Sequence, residues 1–130
     1  MLKLTYNTKH KTQMLDITKD VKEAVIKSGV KDGAVLVFVP HSTCSVFVSE
    51  HIDPNLTRDL LSKLHDLVPS EGKYYHVGDN ADAHIKAAIM GANTTLPIEN
   101  ATVIMGEWQG IFLTDFDGPR ERDVYIKVLG

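Results

Sequence analysis

The chain has one cysteine, Cys44, among its 130 residues, so no disulfide can form within it. Aromatic side chains are scarce at 7%, which leaves few stacking platforms for single-stranded nucleic acid. Neither sign of charge dominates: 14 Lys and Arg stand against 17 Asp and Glu, a formal net charge of −3. Nothing of that kind draws a chain toward nucleic acid or an anionic membrane. No hydrophobic run approaches the roughly 20 residues of a spanning helix; the longest, 34–40, has the length of a buried strand. The opening MLKLTYNTKHK lacks the apolar stretch of a signal peptide. Glycine-rich phosphate cradles are missing too. A (β/α)₈ barrel takes about 200 residues or more, which excludes any activity built on one. The expectation is one cytoplasmic domain spanning residues 1–130, with neither nucleic acid nor membrane as partner.

What is present is apolar content spread along the whole chain, 43% of it, enough for a core without metal staples at this length. Segments 2–8 and 13–17 read as strands around a polar turn. Thr18 reads as a helix cap, with Val21, Ala24, Val25 and Ser28 as the inward stripe and Gly29 just past the end. Asp32-Gly33 reads as a turn and 34–39 as a central strand buried on both faces. In 44–50, Cys44, Val46, Val48 and Glu50 share one face, and Ser45, Phe47 and Ser49 the other. Asp53-Pro54 opens a second helix, with Leu56, Leu60, Leu64 and Leu67 inward and Pro69 at its end. A third helix is expected over about 80–90, with Ala81, Ile85 and Ala88 buried and Gly91 as its stop. Segments 102–105, 108–116 and 122–129 complete the strands. Three helices that do not alternate strictly with strands predict an α+β fold, a single compact domain of largely antiparallel, sandwich-like sheets.

Five features could carry chemistry. In HVGDNADAH at 76–84, two histidines eight residues apart stand among carboxylates, the donors zinc, manganese and magnesium take. Equally, Asp79 and Asp82 could cap the helix, and His84 could donate to a carbonyl. His41-Ser42-Thr43 directly follows a buried strand, and a third imidazole there would complete an open metal site. Cys44 heads an apolar row and reads as a small core residue. Glu50 ends that row, either as a perturbed acid or base or as a strand end emerging into water. Gln109 needs a partner for its amide or holds a ligand, while Trp108 and Phe112 read as core. Arg120 and Arg122 flank a tight turn, where two guanidinia could clamp phosphate or join a solvated ion-pair network.

As an ordered set, HST at 41–43, Glu50 with Asp53-Pro54, His76, NADAH at 80–84, GEWQGIFL at 106–113 and DGPRER at 117–122 resemble the YjbQ-like family. These are small proteins often labelled secondary thiamine-phosphate synthase, and the resemblance covers nearly the whole chain. Ser49 stands where many relatives have Asn, and Cys44 follows the HTS-like run. The resemblance implies a divalent metal, zinc or magnesium, on His41, His76 and His84. Glu50, Asp79 and Arg120 match the family's acidic positions and arginine and are expected as catalytic; Ser42, Thr43, Gln109, Arg120 and Arg122 are expected, from their own chemistry, as substrate contacts. It implies a homotrimer with sites close to subunit boundaries. The implied reaction couples a pyrimidine pyrophosphate to a thiazole phosphate with release of pyrophosphate, which a metal and an arginine would assist. Two alternatives share the site: a metal-assisted hydrolase of a phosphorylated or cyclic small molecule, and a non-catalytic trimeric metal-binding module.

Overall fold

The computed structural model describes residues 1–130. In chain order the elements are β1 (Leu2–Asn7), β2 (Gln13–Asp16), α1 (Thr18–Ser28), β3 (Asp32–Phe38), β4 (Cys44–Glu50), α2 (Pro54–Leu67), α3 (Ala81–Met90), β5 (Asn93–Glu99), β6 (Thr102–Val103), β7 (Gln109–Asp115) and β8 (Glu121–Leu129). Two sheets form, a five-stranded one in the order β1-β8-β3-β5-β6 and a three-stranded one in the order β2-β7-β4. Every pairing is antiparallel. The architecture is α+β.

Alternation along the strands builds the core between the sheets. Val35 and Val37 of β3 and Val124 and Ile126 of β8 meet Cys44 and Val46 of β4 and Ile111 and Leu113 of β7. Val21, Ala24 and Val25 of α1 join the same cluster. Each such aliphatic side chain contributes roughly 1.5–3 kcal/mol on leaving water. Phe116 continues the opposite face of β7 and packs with Leu64 of α2 and Ala83 and Ala87 of α3, so these two helices cover the other side of the small sheet. No helix in the chain is long and apolar enough to cross a membrane.

Several expectations need correction. Thr18 is the first helical residue rather than the cap; its hydroxyl reaches back to Asp16 and accepts the Ile111 N–H. Asp32-Gly33 is the start of β3, not a turn, and a side chain at Gly33 would collide with the Leu129 carbonyl oxygen, 1.8 Å from where its Cβ would stand. β3 is covered on one face only: Ala34 and Leu36 are half-buried and Phe38 is exposed on the other. Segment 93–99 is a strand that the sequence did not signal. In α2 only Leu64 is fully buried, and Leu67 is 70% exposed. In α3 Ala81 is buried as expected, together with Asp82, Ala83, Lys86 and Ala87, while Ile85 and Ala88 face outward. Trp108 precedes β7 in a turn closed by Gln109 N–H donating to the Gly106 carbonyl, and it is exposed rather than core.

Candidate functional site

Where β4, β7 and β8 come together, Cys44 pairs in register with Asp115, and Arg122 enters from β8. Asp115 is completely buried and Arg122 is 5% exposed. The guanidinium forks onto the carboxylate, Nε to Oδ2 at 3.0 Å and NH2 to Oδ1 at 2.8 Å, and NH2 also donates to Thr43 Oγ1 at 2.8 Å. Asp115 further accepts from the Thr8 hydroxyl at 2.8 Å and the Asp117 N–H at 2.9 Å. Burial pushes its carboxyl up, but the Arg122 fork and these other donors outweigh burial and hold it below the usual carboxylate range. The same surroundings act oppositely on Cys44: burial, reinforced by the Asp115 charge, pushes its thiol up to about 12. Cys44 is therefore a protonated core residue, as its place in the apolar row indicated.

His41 stands beside this fork. Its Nε2 accepts the backbone N–H of Asp123 at 2.9 Å, which fixes the tautomer with the proton on Nδ1. Burial, then the Arg122 charge, lowers its pKa, so the ring is neutral near pH 7.

A second network starts from the loop before α3. Asn80 Nδ2 donates to Asp117 Oδ2 at 3.0 Å, which turns its amide oxygen toward His76 Nε2, also 3.0 Å away. His76 therefore carries its proton on Nε2 and keeps a free lone pair on Nδ1. Arg120 braces the same Asp117, with NH2 to Oδ2 at 3.1 Å and Nε to the carbonyl at 2.8 Å. The His84 ring meets His76 edge-on with centroids 5.3 Å apart. One cavity of about 360 Å³ is lined by Lys73, Tyr74, His76 and His84; another, of about 490 Å³, by His41, Ser42, Cys44 and His84. His84 is common to both.

The expected residues thus divide. His41, Ser42, Thr43, His76, His84, Arg120 and Arg122 gather around Asp115 and Asp117. Arg122 and Thr43 are buried and engaged with each other, so Arg120, exposed and with N–H groups to spare, is the arginine that can meet a phosphate. Asp79 is exposed and the N-cap position is Asn80, without a side-chain cap bond. Glu50 and Gln109 pair in register at the far end of β4 and β7, roughly 20 Å from Cys44 at the rise of a strand. There Glu50 accepts the backbone N–H groups of Ile52 and Asp53, and Gln109 Oε1 accepts that of Gly106; both shape turns. Asp115 was not singled out from the sequence, and Asn80 and Asp117 stood there only within the quoted motifs, with no role assigned. For Asp115 a signal existed, since it continues the apolar row of Ile111 and Leu113 as Glu50 continues that of Val46 and Val48.

A three-histidine metal centre does not fit this arrangement. No three His, Cys, Asp or Glu side chains converge as a metal would require, and the His41 Nε2 lone pair already takes the Asp123 N–H. His76 and His84 remain as a pair.

The sequence model described as UPF0047 protein YjbQ-like matches residues 2–130. A UPF0047 protein of Methanocaldococcus jannaschii is 36% identical over 130 residues, covering all of this chain and 94% of that one. UPF0047 protein YugU of Bacillus subtilis is 37% identical over 132 residues, with both chains fully covered. A crystal structure of a yjbq/upf0047 family protein from Clostridium acetobutylicum superposes with a TM-score of 0.97 at 44% identity, over 99% of this chain and 100% of that one. A YbjQ-like protein of unknown function from Sulfolobus solfataricus gives 0.96 at 36% identity, over 98% and 94%.

Proposed function

From the premise that the chain belongs to the UPF0047 YjbQ-like family, we propose that it is a small-molecule enzyme acting on a phosphorylated substrate at the His76–His84 pair. The observation that carries this reading is the Arg120–Asp117–Asn80–His76 chain of contacts, which holds the His76 ring at the wall of a cavity and links it through Asn80 and Asp117 to an exposed guanidinium. His76 Nδ1 is the group that can take a proton from a nucleophile, Arg120 the group that can hold a phosphate, and the Nδ1–H of His41 a donor to an anion in the adjoining cavity. The activity to test first is the one the resemblance implies: coupling of a pyrimidine pyrophosphate with a thiazole phosphate to give thiamine phosphate. A divalent metal, zinc or magnesium, would instead take the His76 Nδ1 lone pair, with His84 as its other ligand from this chain, and would supply Lewis-acid help to the departing pyrophosphate; His76 would then hold the metal and not act as the base. A homotrimer is part of the same proposal, supported by the uncovered face of the large sheet, where Leu36 and Phe38 of β3 stand beside Tyr125 of β8.

The experiment is turnover with the two phosphorylated substrates plus magnesium, comparing wild type with His76→Ala and Arg120→Ala, with elemental analysis of untagged protein and of His84→Ala alongside. Thiamine phosphate formed by wild type and lost in both variants is the expected result. Release of phosphate without coupling would favour the hydrolase instead, and undiminished turnover in His76→Ala would refute the site. Light scattering after gel filtration reads the trimer.

A further inference from the structure

The far end of β4 carries a second histidine arrangement, apart from the site already described. His51 directly follows β4, and its Nδ1 lies 2.9 Å from Oδ2 of Asp16, the last residue of β2. The other Asp16 oxygen, Oδ1, accepts the Thr18 N–H at 3.0 Å and the Thr18 hydroxyl, which itself accepts the Ile111 N–H at 2.8 Å. Burial pushes the Asp16 carboxyl up, but the Thr18 donors and then His51 outweigh burial and hold it below the usual carboxylate range. A carboxylate only accepts, so His51 carries its proton on Nδ1 and keeps a lone pair on Nε2. Gly110 of β7 makes room for the ring: a Cβ there would stand 2.4 Å from His51 Nδ1 and 2.5 Å from Cγ. His51 and Asp16 open on a cavity of about 650 Å³. Its remaining wall is one face of α1, where Lys19, Lys22, Glu23 and Ile26 recur at helical spacing, all exposed.

We propose that His51 is a phosphoryl acceptor, taking the group on Nε2 from a small donor of the phosphoramidate class. A carboxylate on Nδ1–H fixes the ring and strengthens Nε2 as a base and nucleophile. The lysines select what reaches it. A divalent cation meets two ammonium groups, and an acyl group brings them no charge, whereas a phosphoryl group brings roughly two negative charges that outweigh the one exposed carboxylate of Glu23. In the transfer the Nε2 lone pair forms the N–P bond. The donor's P–N bond breaks, and its electron pair leaves on the already protonated nitrogen as ammonia or an amine. The ring becomes a cation with Nδ1–H still on Asp16, whose charge compensates it.

The test incubates the protein with potassium phosphoramidate at neutral pH and follows phosphohistidine by phosphorus NMR, with the residue located by mass spectrometry of peptides kept alkaline. His10 and His65, both exposed and without a carboxylate partner, are references within the same chain. His51 should be phosphorylated on Nε2 about tenfold faster than either, the advantage of an oriented nucleophile. Asp16→Asn should remove most of that advantage. Lys19→Gln/Lys22→Gln, at exposed helix positions, should slow His51 severalfold and leave His10 and His65 unchanged. Labelling of His51 no faster than of the two references, or a His51 rate unchanged in the lysine variant or in folded Asp16→Asn, would overturn the proposal. The comparison within the chain and the lysine variant decide the matter even if Asp16→Asn does not fold.

Discussion

Replacing Arg122 with Met tests the centre of the buried fork. The substitution keeps much of the side-chain volume and removes every charge-assisted bond to Asp115, leaving a carboxylate with no exposure to solvent and only the Thr8 hydroxyl and Asp117 N–H as close oxygen and nitrogen donors. Breaking a buried pair from one side costs roughly 3–5 kcal/mol, a large share of the stability of a small domain. At this chain length that lowers Tm by about 10–20 °C. Removing both partners in Arg122→Met/Asp115→Leu eliminates the stranded charge; the orphaned Thr8 and Asp117 donors then cost about 1 kcal/mol each, so the double variant should be the more stable of the two. The pH dependence carries the sign. In wild type the folded Asp115 titrates below its ordinary value, so its contribution is complete above the unfolded value near 4 and disappears as pH falls through the lower, folded one. In Arg122→Met burial acts without the fork and raises the folded value, so protonation relieves the variant and its deficit narrows as pH falls toward 4. Urea melts at several pH values read all of this through ΔG and the m-value. A loss under about 1 kcal/mol, or a deficit that widens on acidification, would refute the argument.

Three other outcomes follow from the same geometry. The His41 ring should titrate below the usual imidazole value by NMR, because burial and Arg122 disfavour its cation; the midpoint should move up in Arg122→Lys/Asp115→Glu only if the fork loosens, and up in Arg122→Met without that condition. Because His41 is depressed in the folded state, its stabilising contribution is present above pH about 6.5 and fades as pH falls through the folded value. Nitrogen shifts of His76 should report the Nε2–H tautomer in wild type and a mixture in Asn80→Ala; an unchanged tautomer would show that Asn80 does not set it. Cys44, buried with its thiol pushed up to about 12, should resist an aromatic disulfide reagent at pH 8 in the native state and react once on unfolding, and rapid native labelling would contradict the packing.

Strands with an apolar row at every second position were legible from the sequence: β4 and β7 show their core-facing rows plainly, although helices bury their other faces too, and α1 closes with Gly29 at φ 73°, the left-handed position a glycine takes without cost. β5 was not legible because Pro97 interrupts it. β6 pairs only Ile98 and Glu99 beside it, so most of β5 is an edge, where proline is tolerated. The inward face of α3 was misread because a polarity pattern cannot show that Lys86 and Asp82 neutralise each other inside; hydropathy assigns both to water. The site was half legible for a related reason. Histidines and arginines announce themselves, whereas the distinction between Arg122, buried on Asp115, and Arg120, left in solvent, depends on which strand positions face the core. Glu50 and Asp115 present the same signal in sequence and differ only in what lies opposite: free backbone N–H groups for one, a guanidinium for the other.

The placement of β8 between β1 and β3 has a kinetic meaning. Until residues 121–129 are available, β3 exposes one open edge and β1 has no neighbour in its sheet. Pairing of Leu2 with Ile126 closes a loop of nearly the entire chain, the kind of long-range step that slows folding. The last strand also delivers Arg122. Asp115 and Thr43 therefore wait without their cation through synthesis, and completion of the large sheet and assembly of the charged fork are one event, so a folding intermediate that lacks β8 is also one that lacks the site.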